Sequence, residues 1–158
     1  MFLVNDTLES RQKTIASYEP FVGVILAAID FEWTVRRAIL ALGSSTTKEI
    51  KSKTLNANCS GLDAYKKAWN KEVKPLTGKR LDEIVPEWQY FKETAYPLRH
   101  RLVHGVEGSV TPQYASDRMK AILSASKSIA DFADLLGEPL YGRKIIRRKP
   151  RKQLNSAK

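Results

Sequence analysis

The residues best suited to chemistry lie in one stretch: Arg99, His100, Arg101, Leu102, Val103, His104 and Gly105. Both histidines of the chain are in it. Imidazole titrates near neutral pH and can take or give a proton. A guanidinium holds phosphate through two fixed hydrogen bonds and stabilises developing negative charge. Metal-free RNA cleavage needs these two functions. A base removes the ribose 2′-OH proton, a cation stabilises the pentavalent phosphorane, and an acid protonates the leaving 5′ oxygen. The products would be a 2′,3′-cyclic phosphate and a 5′-OH.

Other chemistry competes for the same residues. His100 and His104 are four apart, the spacing of two metal ligands on one helical face. No third ligand lies nearby, and Arg99 and Arg101 repel a cation. Histidines at a helix C-terminus also interact favourably with the helix dipole without any catalytic role. Geometry constrains the catalytic reading too, because five helical positions leave about 140° between Arg99 and His104. Fraying at Gly105, a restart at Pro97, or two motifs meeting across a symmetric dimer would each bring them together.

The positioning elements read as helices throughout. No segment alternates apolar and polar residues long enough to demand a strand, and no Asn-Gly or Asp-Gly hairpin signal is present. Asp6 caps a first helix over 7–17, and Pro20 breaks the chain. A strong helix spans 21–42 and ends at Gly43. Thr46 or Thr47 caps a short helix ending near Asn56, and Ser60 caps another through Lys71. Trp88, Phe91, Ala95, Leu98 and Leu102 form one buried stripe, interrupted by Pro97. Thr111 and Pro112 open the clearest helix, with a seam of Ala115, Met119, Ile122, Ser126, Ile129, Ala133 and Leu136. The expected fold is all-α: an antiparallel bundle of four main helices plus short ones, over 1–142.

Glu32 stands on the apolar stripe of the 21–42 helix, where an acid is costly unless paired. Arg36, one turn on, and Arg99, across the bundle, are its expected partners. Trp33, Trp69 and Trp88 read as core rather than base-stacking platforms. Cys59, the sole cysteine, excludes a disulfide framework and a Cys-rich zinc module.

The chain's 158 residues suffice for one core. The net charge of +10 is concentrated at the end. Residues 143–158 hold eight cations and no acid, leaving the preceding 142 residues near neutral. This segment reads as a flexible basic tail that binds a polyanion without contributing to the fold. Its Arg147, Arg148, Lys149 and Arg151 are expected RNA contacts, with Arg101. The longest apolar run, 21–29, is too short for a membrane span, and the first ten residues lack the basic start of a secretory signal. A reducing cytoplasm is the expected location.

The LRHRLVHG stretch, with its arginine, following polar residue and later histidine at Arg99, His100 and His104, resembles the HEPN superfamily of all-helical RNase and nucleotide-binding domains. The resemblance implies a metal-independent, cofactor-free endoribonuclease that works as a homodimer. It also implies a role in toxin–antitoxin or anti-phage systems, some with a nucleotidyltransferase antitoxin. Glu32, or Asp30, would then be the acid that members often place on an early helix near the motif. Some members only bind RNA, so a non-catalytic RNA-binding or adaptor module is the alternative.

Overall fold

The computed structural model describes residues 6–105 and 110–154, and every regular element among them is helical. The helices are α1 (Leu8–Ala16), α2 (Pro20–Leu42), α3 (Thr47–Glu49), α4 (Leu62–Glu72), α5 (Lys74–Thr77), α6 (Leu81–Ile84), α7 (Trp88–Tyr90), α8 (Tyr96–His104) and α9 (Pro112–Leu135). Two π-helical turns, Ile50–Thr54 and Phe91–Ala95, continue α3 and lead into α8. No helix of the described residues is long and apolar enough to cross a membrane.

Helix α2 packs along α9 as the spine. Gly23 lets Met119 approach so closely that a Cβ there would lie 2.3 Å from its Sδ. One turn group further, Asp30 meets Ser126. Both contacts have the same sequence separation, so the two longest helices run parallel. The expected antiparallel arrangement therefore does not describe this central pair. Hydrophobic periodicity marks the face a helix buries but is the same for either direction of its partner.

Ser126, the polar member of the α9 seam, is fully buried because it faces Asp30. Asp30 in turn pairs with Arg11 at 2.6 Å, and both side chains are wholly enclosed. Burial raises the Asp30 pKa and outweighs the lowering by Arg11. Arg11 also lies 4.0 Å over the Trp33 ring. Of the three tryptophans, Trp69 is core, whereas Trp33 and Trp88 are half-buried.

Several expected boundaries move. The α1 cap is Thr7, whose hydroxyl accepts from Ser10 N–H, not Asp6. Gly61, not Ser60, precedes α4. The stripe from Trp88 to Leu102 is not one helix: Tyr96 N–H donates to Phe91 C=O across the wide turn, and Pro97 then stands in the first turn of α8. The π turn absorbs the hydrogen bond and space that proline denies an α-helix.

The largest departure is the C-terminal segment. Residues 143–154 are an ordered strap across the end of α2, not a free tail. Arg143, Ile145, Arg147 and Arg151 turn inward, while Lys144, Ile146, Arg148 and Lys152 stay exposed, the period of extended chain. The Arg147 guanidinium donates to the carbonyls of Leu40, Ala41, Gly43 and Ser45. Its backbone exchanges hydrogen bonds with Thr47, and Arg151 N–H donates to Ser44 C=O. Arg143 and Arg151 both clamp Glu138. Burial alone would raise the Glu138 pKa; the two arginines outweigh it and hold the carboxyl below its usual range. Lys158, the last cation of the segment, lies outside the described residues.

Candidate functional site

Helix α8 carries the motif and ends where its residue pattern says. Gly105 takes the left-handed conformation (φ 61°), and its N–H donates to Arg101 C=O. Leu98 is buried and anchors the helix; His100 and His104 are exposed. The two imidazoles lie one turn apart, with ring centroids 4.3 Å from each other and planes inclined at 47°.

Arg99 points elsewhere. It is half-buried, and its charge acts on Tyr96. Helix α8 is regular from Tyr96 through His104, so the restart at Pro97 precedes both residues and no fraying separates them. Within one chain the Arg99–His104 divergence of about 140° persists.

Glu32 faces the motif helix from α2. Its carboxylate accepts from the Tyr96 hydroxyl at 2.6 Å and the Tyr65 hydroxyl at 3.2 Å. Burial first, and then these bonds to an acid, push both phenols' pKa values upward. Neither expected ion pair forms. Arg36 spans instead to the carbonyls of Leu55 and Cys59 at 2.8 and 2.9 Å, pinning the loop before α4. No hydrogen bond or ion pair among the described residues links Arg99 to Glu32. The structure therefore gathers Tyr65 and Tyr96 around Glu32, two residues the sequence reading missed. Their signal is faint: tyrosines on two helices far apart in sequence, with no shared spacing to Glu32.

Helix α2 also leaves an apolar stripe open. Val22 and Ile29 on α2 are 43% and 47% exposed, with Ile25 and Leu26 half-buried between them. Val103 on α8 is 50% exposed. The spacing 22, 25, 26, 29 is that of a packing stripe, here left open.

The other expected RNA contacts divide. Arg101 is half-buried beside the N-terminus of α9. Arg148 and Lys149 are exposed. Arg147 and Arg151 are half-buried and engaged by the carbonyls at the end of α2 and by Glu138. Among the described residues, no group of three or more His, Cys, Asp or Glu side chains is placed to hold a metal ion. Cys59 is buried, which raises its thiol pKa against the opposing effect of Arg36.

Comparison with known protein families, curated proteins and solved structures returns no match to this chain.

Proposed function

We propose that this protein is a HEPN-type endoribonuclease, independent of metal, acting as a homodimer in the cytoplasm. The observation that supports it best is the solvent-facing pair of His100 and His104, their rings in contact on the last turns of the helix that also carries Arg99. His104 serves as the general base or acid. His100, in ring contact with it, positions the scissile group or relays the proton. Arg99 stabilises charge on the phosphorane. Glu32 holds Tyr96 one turn group before Arg99 and so orients that face of α8. The reaction is closed in atoms: the 2′ oxygen bonds to phosphorus as its proton leaves, and the P–O5′ bond breaks as the 5′ oxygen is protonated.

The homodimer follows from the divergence of Arg99 and His104, which one chain does not close. The open stripe Val22–Ile29 on α2, and Val103 on α8, offer a second copy exposed apolar side chains. A partner of nucleotidyltransferase type, acting as antitoxin, would fit a toxin or defence role. The same divergence favours a second reading, a non-catalytic RNA-binding module in which the motif only grips phosphate.

The deciding experiment incubates the full chain with single-stranded RNA in excess EDTA. Cleavage should persist, leave 2′,3′-cyclic phosphate ends, and vanish in His104→Ala with RNA binding retained. Loss of cleavage on chelation, restored by magnesium, refutes the mechanism. RNA binding without cleavage at any protein concentration favours the second reading.

A further inference from the structure

At the motif helix, a cavity of about 220 Å³ opens between Arg101, Val110, Thr111 and Tyr114. Arg101 Nε is shut off from solvent and has no hydrogen-bond partner, and so is Nε of Arg118. A buried donor left unmade is destabilising, and native structures hold few of them. Arg118 lies 3.3 Å over the Tyr114 ring and 5.6 Å from the Tyr90 ring. Its Nη1 reaches only the Tyr114 carbonyl, at 3.4 Å. No described carboxylate pairs with either arginine. Arg118 thus sits on the Tyr114 ring and Arg101 lines the same cavity, with no counter-anion to either among the described residues. Thr111 caps α9 by accepting from Tyr114 N–H at 3.2 Å, which sets where that ring stands.

A cavity lined by an uncompensated guanidinium and an aromatic ring is suited to an anion that carries a flat ring. We propose that the Arg101–Tyr114 cavity is a nucleotide subsite: Arg101 takes a phosphate of single-stranded RNA, and the adjoining base packs on Tyr114, whose ring Arg118 holds in place. This deepens, and rests on, the ribonuclease reading, because the subsite shares α8 with His100 and His104. It would fix which phosphate reaches the histidines. Arg101 is then a binding residue and Arg118 a positioning residue, neither of them catalytic.

The test uses the full chain carrying His104→Ala, so that RNA stays intact, and a fluorescent single-stranded RNA 12-mer. Arg101→Gln and Tyr114→Leu should each weaken binding about tenfold, within the range of a lost charge-assisted contact or a lost base stack. Arg101→Lys should recover part of it. Binding within twofold of the parent in both folded variants overturns the subsite. A readout without these substitutions guards against misfolding. In ¹⁵N spectra, the Nε–H signals of Arg101 and Arg118 should shift on RNA addition, and unmoved signals at saturating RNA overturn the proposal. Competition by inorganic phosphate or a nucleoside monophosphate assigns the cavity to a free phosphate group. Insensitivity to both, with RNA-dependent shifts, assigns it to an internal phosphodiester. The two readings separate cleanly. Loss of binding in Arg101→Gln from a wild-type chain that never cleaves RNA retains the subsite and sinks the ribonuclease. Cleavage with unchanged KM in Arg101→Gln does the reverse.

Discussion

Replacing Arg147 by methionine keeps the length of the side chain and removes its charge and donors. The guanidinium serves the carbonyls of Leu40, Ala41, Gly43 and Ser45, which are the unpaired C-terminal acceptors of α2 and the turn beyond it. A hydrogen bond from a charged donor contributes about 1.5–3 kcal/mol net. Four do not add, because the site is half-exposed and water replaces part of the loss. A total of about 2–4 kcal/mol is the reasonable expectation, including the favourable placement of a cation at a helix C-terminus. For a domain of this size that lowers Tm by about 6–12 °C. Deleting residues 143–158 should cost more, since Ile145, 8% exposed, leaves the core as well. Scanning calorimetry or circular dichroism reads both. The strap should also loosen in acid. Glu138 has a depressed folded-state pKa, so its clamp on Arg143 and Arg151 is complete above the ordinary carboxylate value and is lost as pH falls through the depressed one. A truncated chain with an unchanged Tm would show that the strap is an ornament on the fold, and the reasoning would fail.

Three further outcomes are expected. Gly43→Ala should lower stability by about 1–3 kcal/mol, because its Cβ would stand 2.5 Å from Ile39 C=O and 2.6 Å from Ile50 Cδ1; denaturant melts test this. Ile29→Glu should leave the monomer folded by circular dichroism yet abolish dimerisation in sedimentation, and an unchanged dimer would remove the α2 stripe as the interface. Burial raises Tyr141 to about 12, with Asp30 adding to the shift, so the tyrosine's stabilising effect is full below about pH 10 and fades as pH climbs toward 12. Tyr141→Phe should flatten that alkaline loss, and an identical pH profile would contradict it.

How much could be read in advance differed from element to element. The α9 seam was legible because Ala115, Ile122, Ile129 and Ala133 recur at helical spacing and are all buried. The end of α8 was legible because Gly105 supplies a positive φ. The π turn at Phe91–Ala95 was not, since its wider hydrogen bond leaves the apolar spacing almost intact while shifting the register by a fraction of a turn. The strap was obscured by its composition. Its inward Arg143, Arg147 and Arg151 alternate with outward cations, so the period is one of role and not of residue type. Glu32 was recognised as an acid needing partners, but tyrosine hydroxyls supplied them in place of arginines. Among the strap's described cations, only Lys144, Arg148, Lys149 and Lys152 are exposed. Their loss would reduce the salt slope of RNA binding by at most about 3 for single strands.

The parallel packing of α2 on α9 has a consequence for synthesis of the chain. Parallel neighbours cannot be joined by a short turn, and here the whole middle of the sequence intervenes between them. During translation α2 emerges with its Val24, Ala27, Phe31, Val35 and Ala38 face complete, but the helix meant to cover it is made several seconds later. Helix α1 and the α4 region shield parts of α2 in the interval, and the strap, made last of all, locks its C-terminus. The nascent chain therefore spends that interval with its most apolar helix incompletely covered, and a ribosome-bound chain ending before Pro112 should recruit holdase chaperones that the finished protein does not.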